Sequence, residues 1–388
     1  MKQVTTYPRM LPKPTKSCFV LGPRGTGKST WLKQKLPDAA WFDLLDQRLF
    51  QSFLADPGEL AAALRPLARG SWVVIDEIQR VPELLNEVHR AIEDLGLRFA
   101  LSGSSARKLR RSGVNLLGGR ARQVFMFPFV PEELGKDFQL SRALRYGTLP
   151  LILGNPEPER EGALRDYVDL YLKEEIRAEA LVRNLGGFTR FLPISALFHG
   201  QTLSISSLAR DAEVERKTVQ GFVEILEDTL LALRLKAFSG KLRVREKKHP
   251  KLYWIDPGLV RSLQGARGDP TELEKGALFE GYVFMLLRAY QAKQDLYDEI
   301  TYWSPSEATR TEVDFLLIRG SKKIAIEVKS TPRLRPDFKV GLEAIHGLAG
   351  LERRIIVYLG SRRLELPGGI EVLPFPEFCR ELSEQKLW

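Results

Sequence analysis

The segment Gly22-Pro23-Arg24-Gly25-Thr26-Gly27-Lys28-Ser29 meets every fixed position of the pattern G-x-x-x-x-G-K-[ST]. An apolar stretch, Cys18-Phe19-Val20-Leu21, precedes it and reads as a short buried strand. Thr30-Trp31-Leu32-Lys33-Gln34-Lys35-Leu36 follows with helical character. Strand, glycine-rich loop and helix in that order form a phosphate-binding loop. The glycines allow a tight turn whose backbone N–H groups point at phosphate oxygens, and the helix adds the positive end of its dipole. The segment therefore predicts a nucleoside-triphosphate site at Gly22, Pro23, Arg24, Gly25, Thr26, Gly27, Lys28, Ser29 and Thr30. In it Lys28 reaches the β- and γ-phosphates and Ser29 holds Mg²⁺.

Such a loop needs a carboxylate partner. Ser71-Trp72-Val73-Val74-Ile75-Asp76-Glu77 is an apolar run ending in two acids. It reads as a buried parallel strand, and strands of this kind place ligand-binding residues at their carboxyl ends. Asp76 suits the carboxylate that holds Mg²⁺, and Glu77 suits the base for the attacking water.

With 388 residues the chain exceeds one ordinary domain. Its 44% hydrophobic and 28% charged residues are a normal globular mix. No apolar stretch is long enough to span a bilayer, and Met1 to Thr6 lacks the apolar core of a signal peptide. The cysteines Cys18 and Cys379 are far apart in sequence, which argues against a disulfide framework and for a reducing, cytoplasmic setting. His89, His199, His249 and His346 show no metal-ligand spacing. A net charge of +10 favours a polyanionic partner, or else serves general solubility.

Several further pieces together resemble a family of bacterial and archaeal AAA+ ATPases that pair an N-terminal ATPase domain with a C-terminal domain of unknown function. They are Gly22-Pro23-Arg24-Gly25, Ile75-Asp76-Glu77-Ile78-Gln79, Ser102-Gly103-Ser104-Ser105, Gly119-Arg120 and Phe127-Pro128-Phe129. Downstream come His199-Gly200-Gln201, Lys217-Thr218-Val219 and the run from Lys251 to Leu259. The resemblance covers nearly the whole chain. It implies that the strand read over Leu97 to Ser105 lies between the phosphate-loop strand and the Asp76 strand. A polar residue at its tip, Ser104 or its neighbour Ser105, then senses the γ-phosphate; the same serines also suit a helix N-cap. Arg120 resembles the arginine finger that reaches the nucleotide of a neighbouring subunit, though a surface arginine in a basic loop is the alternative. A finger acting in trans implies a homo-oligomer, with a hexameric ring as the usual arrangement. Lys173-Glu174-Glu175-Ile176-Arg177 departs from the Arg-Asp expected there, so Arg177 and Arg183 both remain candidates for the lid arginine.

The middle of the chain, Ile205 to Leu226, reads as a helix-turn-helix. Ser206 or Ser207 caps its first helix and Val214 anchors the turn. In the second helix Val219, Phe222, Val223 and Leu226 recur at helical spacing, leaving Arg216, Lys217 and Gln220 outward for phosphates and base edges. Lys236, Lys241, Arg243, Arg245, Lys247, Lys248 and Lys251 follow against the single acid Glu246, with Leu242 and Val244 alternating as in a strand. This is a basic hairpin in the wing position of a winged helix, where each phosphate contact adds salt sensitivity. The competing reading is a packing module that never touches DNA.

After a helix from Glu272 to Tyr290, Thr311 to Ile318 and Lys323 to Lys329 read as a strand hairpin. Asp314, then Glu327-x-Lys329, with Glu280 on the helix, matches the PD-(D/E)xK nuclease pattern. Asp314 and Glu327 meet across the hairpin as ligands for one divalent cation, and Lys329 shares their face. Glu312 could substitute for Asp314. Whether such a site cleaves is a separate question from its fold.

The expected fold is α/β, with four parts: a P-loop AAA+ core over residues 1–135, a helical lid over 136–190, a winged helix over 191–262 and a PD-(D/E)xK-like domain over 263–388. The expected cofactors are ATP and Mg²⁺, the expected partners DNA and further copies of the chain, with no membrane. Three functions compete: a motor that translocates or remodels duplex or branched DNA, an ATP-controlled nuclease, and a signalling or toxin-regulating ATPase without DNA chemistry. The order of ATPase core and winged helix is similar to the bacterial Holliday-junction branch-migration motor.

Overall fold

The structure, a computed structural model, describes residues 7–104, 117–172, 184–240, 249–305 and 311–388. Its first part alternates strand and helix. In order these are β1 (Cys18–Leu21), α1 (Lys28–Lys35), β2 (Ala40–Asp43), α2 (Gln47–Ala55), α3 (Gly58–Leu64), β3 (Trp72–Asp76), α4 (Leu84–Asp94), β4 (Arg98–Gly103) and β5 (Arg122–Phe125). The strands make a parallel sheet in the order β2-β3-β4-β1-β5. Apolar residues run unbroken along β1 and β3 because both sheet faces are covered. Phe19, Leu21, Val73 and Ile75 pack on one side with Leu84 and Val88 of α4. Cys18, Val20 and Val74 pack on the other with Trp31 and Leu32 of α1. Because β4 separates β1 from β3, the carboxyl ends of all three lie side by side.

The next part begins with short helices: α5 (Pro131–Leu134), α6 (Leu140–Tyr146), α7 (Pro150–Leu153) and α8 (Arg160–Asp166), which runs on into a π-helical turn, Tyr167–Leu172. After α9 (Leu185–Leu197) and β6 (Gln201–Thr202) come α10 (Ile205–Asp211), α11 (Arg216–Asp228), β7 (Ala232–Leu235), β8 (Lys251–Trp254) and α12 (Pro257–Leu263). Strands β6, β8 and β7 form a small antiparallel sheet in that order. The cap of α10 differs from expectation. Ser204, rather than Ser206 or Ser207, accepts the Ser207 N–H at 3.2 Å, so the helix starts two or three residues earlier.

The last part opens with α13 (Glu272–Gln294), started by a capping box between Thr271 and Glu274. It continues through β9 (Glu299–Trp303), β10 (Val313–Arg319), β11 (Lys322–Lys329), α14 (Val340–Ala344), β12 (Leu351–Tyr358), β13 (Leu364–Leu366), β14 (Ile370–Pro374) and α15 (Phe375–Ser383). The mixed sheet runs β13-β14-β12-β11-β10-β9. One hydrophobic core extends continuously from Phe127 through Phe222 and Phe279 to Leu387. The lid, winged-helix and C-terminal portions separated in the sequence reading therefore share a core, and the N-terminal sheet keeps its own. The root of the basic connection joins this shared body too: the Phe238 N–H donates to the Tyr302 carbonyl at 2.7 Å, and the Tyr302 N–H to the Lys236 carbonyl at 3.0 Å.

Candidate functional site

The loop after β1 turns through Gly25 and Gly27, at φ of 82° and 84°, a left-handed conformation that suits glycine. Gly22 has a different constraint, since a Cβ there would sit 2.4 Å from the Met126 carbonyl oxygen. Lys28 is buried and folds back on the loop, donating to the carbonyls of Gly22 at 2.7 Å and Pro23 at 3.1 Å. Thr26 also closes the loop through its hydroxyl to the Pro23 carbonyl at 2.8 Å. Ser29 stands in the first turn of α1, half-buried, with Thr30 exposed beside it. Two elements beyond the sheet touch the loop. The Leu151 N–H of α7 donates to the Gly25 carbonyl at 3.1 Å, and the Tyr167 hydroxyl to the Arg24 carbonyl at 2.9 Å.

Asp76 ends β3, buried, and accepts a hydrogen bond from the Ser102 hydroxyl of β4. Glu77 follows at φ 60°, a left-handed conformation that costs a non-glycine residue about 1–3 kcal/mol. Gln79 then joins two expected site residues: its side-chain amide donates to the Glu77 carboxylate and, at 3.2 Å, to the Ser104 hydroxyl. Gly103 makes room for it, since a Cβ there would lie 2.5 Å from the Gln79 carbonyl oxygen. Sequence reasoning assigned roles to neither Gln79 nor Ser102. The signal for Gln79 was its place two residues after Glu77 in a matching motif. Arg120 lies in the turn before β5, partly exposed and ion-paired with Glu93 of α4. Ser105, Arg177 and Arg183 lie outside the described residues.

The C-terminal candidates come together. Phe315 of β10 pairs with Ile326 of β11, so Asp314 and Glu327 occupy the next position of the hairpin. Leu316 and Ala325, their neighbours two residues along each strand, pack into one core, which puts both acids on the same face. The Val328 N–H donates to Asp314 at 2.8 Å, and the Lys329 ammonium contacts Glu327. Carboxylate oxygens of Glu280, Glu312 and Asp314 lie within 4.8 Å of one another.

Lys251 corrects the sequence reading. Placed there in the basic wing, it is instead 3% exposed, and its ammonium enters this acidic cluster from β8. It lies 2.9 Å from Glu280 and 3.9 Å from Asp314 and is paired with Glu312. Tyr253, two residues along β8, donates its hydroxyl to the same Glu280 oxygen. Burial opposes the charge on Lys251, but Glu280, Tyr253, Asp314 and Glu312 together hold its pKa well above the ordinary lysine value. Burial also opposes ionisation of Glu280, yet Lys251 and Tyr253 keep its carboxyl below the usual range. Asp314 is pushed well up by burial and by Glu280 and Glu327. Glu327 rises to about 7, through burial that outweighs the pull of Lys329.

Of the residues expected at DNA, Arg216 and Lys217 open α11 and are exposed, as is Gln220; Val219, Phe222, Val223 and Leu226 are buried opposite. Lys241, Arg243, Arg245, Lys247 and Lys248 lie outside the described residues. His199 is buried and accepts the Trp254 N–H at 3.0 Å on Nδ1, and burial lowers its pKa to about 4, consistent with a structural role. No helix of the described residues is long and apolar enough to cross a membrane.

Residues 14–135 match the family model for an AAA domain. Residues 137–269 and 275–378 match two models described as domains of unknown function, DUF8612 and DUF4143. An uncharacterised protein of Mycobacterium tuberculosis is 28% identical over 381 residues, spanning 95% of this chain and 82% of its own length. An uncharacterised protein of Methanocaldococcus jannaschii is 23% identical over 401 residues, spanning 93% and 88%. A solved Walker-type ATPase of Pyrococcus abyssi aligns with 64% of this chain and 90% of its own, at 17% identity and a TM-score of 0.42. By its family match the N-terminal part of this chain is an AAA-like P-loop ATPase domain.

Proposed function

We propose that the chain is a Mg²⁺-dependent ATPase that binds DNA and couples hydrolysis to translocation or remodelling of duplex or branched DNA. One observation carries the ATPase chemistry: at the ends of β3 and β4 Gln79 joins Glu77 to Ser104 and Ser102 holds Asp76, beside the loop after β1 that leads to Lys28. Loop N–H groups receive the phosphates, and Lys28 exchanges its loop carbonyls for phosphate oxygens. Ser29 and Asp76 suit Mg²⁺, which offsets phosphate charge when bound. Glu77 takes a proton from the attacking water as the bond between the γ-phosphorus and the bridging oxygen breaks, releasing ADP and phosphate. Ser104, joined to Glu77 through Gln79, relates γ-phosphate occupancy to the position of the base.

The DNA reading rests on the outward side of α11, with Arg216, Lys217 and Gln220, and on the strongly basic composition of the connection between β7 and β8. In this reading α10, α11 and the β6-β8-β7 sheet are a winged helix. Gel-shift assays against duplex, forked and four-way-junction DNA test it, with Arg216→Ala and Lys217→Ala expected to weaken binding and flatten its salt dependence. Absence of binding to all three structures would leave the signalling or toxin-regulating reading in place. We read Arg120 as a finger acting in trans within a homo-oligomer; sedimentation with ATP tests this, and a strict monomer removes it.

A second reading has a specific observation in its favour. Glu280, Asp314, Glu327 and Lys329 form one cluster on a helix and a strand hairpin, as a PD-(D/E)xK-like metal-dependent nuclease requires. Its test is Mg²⁺- or Mn²⁺-dependent cleavage, by wild type or by the Lys251→Met variant, that is lost on adding Asp314→Ala with ATPase activity retained.

A further inference from the structure

We propose that Lys251 fills the cation position of the C-terminal carboxylate centre, so that the middle of the chain holds this centre closed to divalent metal ions. The inference deepens the nuclease reading and rests on it only for the kind of cation the centre would take, Mg²⁺ or Mn²⁺.

The carboxylates of Glu280, Glu312, Asp314 and Glu327 gather around two ammonium groups, Lys251 and Lys329. The two lysines play different parts. Lys329 lies on the same strand as Glu327 and contacts that acid. Lys251 comes from another sheet and reaches Glu280, Glu312 and Asp314, the same three acids whose oxygens are spaced to surround one ion. An ammonium and a divalent ion with oxygen ligands at about 2.0–2.6 Å cannot share that space. The rest of β8 fits a seated strand. Alternate residues of a strand share a face, and Tyr253 joins Lys251 in donating to Glu280. The lysine is almost wholly enclosed while β8 stays paired with β6 and β7.

A second feature points to unused ligand capacity. The Glu327 Oε2 atom is buried and has no hydrogen-bond partner among the described residues. A buried carboxylate oxygen left without a donor is costly, and a cation between the acids would satisfy it. With Lys251 removed, like charges crowd one small volume, and the centre must gain protons or a cation.

The test is Mn²⁺ binding to the full, nucleotide-free chain, read by electron paramagnetic resonance and by the shift in thermal unfolding. Wild type is expected to bind no Mn²⁺ at this centre and to show no shift. Lys251→Met is expected to bind one Mn²⁺ at least about tenfold more tightly than wild type and to gain thermal stability from it. Adding Asp314→Asn should abolish both effects. Lys251→Gln, which keeps a donor, replaces Lys251→Met if the latter fails to fold, and a cooperative thermal unfolding transition of the body that holds α13 and β8 reports folding in either case. Wild type that binds Mn²⁺ as well as Lys251→Met in an Asp314-dependent way overturns the proposal, as does a folded Lys251 variant that binds none. If the variant binds Mn²⁺ but cuts no DNA, the nuclease reading fails and the closed centre stands.

Discussion

Both acidic centres of this chain carry a carboxylate at a strand end and a lysine nearby, yet they use the lysine in opposite ways. At the N-terminal centre Lys28 donates to two loop carbonyls, which it can exchange for phosphate oxygens. At the C-terminal centre Lys251 lies among the acids themselves. A lysine held by neutral carbonyls is available to an incoming anion. One held by buried carboxylates is committed, because its removal leaves uncompensated charge. The comparison teaches that a metal-ligand motif in the sequence specifies a set of acids, and not which cation they hold.

Removing the base at the N-terminal centre should have the largest effect. Glu77→Gln should lower the ATP turnover rate by about 10²–10⁴-fold while nucleotide binding survives, measured by steady-state hydrolysis and by equilibrium binding. Equal loss of both would make Glu77 a structural residue. Lys28→Ala should cost about 10²–10³-fold in hydrolysis, whereas Asp314→Asn should leave it untouched; any coupling between the two would blur the contrast drawn here. Gln79→Ala should slow hydrolysis by about tenfold, a smaller effect because it positions Glu77 and Ser104 without reaching substrate.

The C-terminal centre should reveal itself through pH. Glu327 titrates near 7 in the folded chain against an ordinary value of 4.5. The folded state therefore holds the proton more tightly, and this contribution to stability is present at low pH and lost as pH rises toward 7. Thermal unfolding from about pH 5 to about pH 7.5 should show a falling midpoint, with a slope reduced in Glu327→Gln. An unchanged slope in that variant would mean that the acid is not held protonated by its surroundings. The smallest effect concerns α11: Arg216→Ala should alter the salt dependence of DNA binding and leave basal hydrolysis unaffected.

The two centres also differ in how far they could be read from sequence. Gly22 to Ser29 is contiguous, and the apolar run ending in Asp76 declares its strand, so local pattern alone brings out the phosphate loop and its acids. The hairpin that aligns Asp314 with Glu327 follows in the same way from the two-residue period of strands. Lys251 was not legible. It follows a run of basic residues, and composition assigned it to the same exposed surface. Its burial depends on β8 pairing with β6 and β7 and on the contact of that small sheet with α13, both made by residues distant in sequence. Gln79 was hidden for a related reason, because its partner Ser104 is 25 residues away, just past the end of β4. The shared core from Phe127 to Leu387 likewise could not be inferred from segments read one at a time.

The most direct test of the contrast is a count of Mn²⁺ ions per wild-type chain by electron paramagnetic resonance, with and without a non-hydrolysable ATP analogue. The account predicts one ion with the analogue, lost in Asp76→Asn, and none without it. An ion bound in the absence of nucleotide and lost in Asp314→Asn would contradict it.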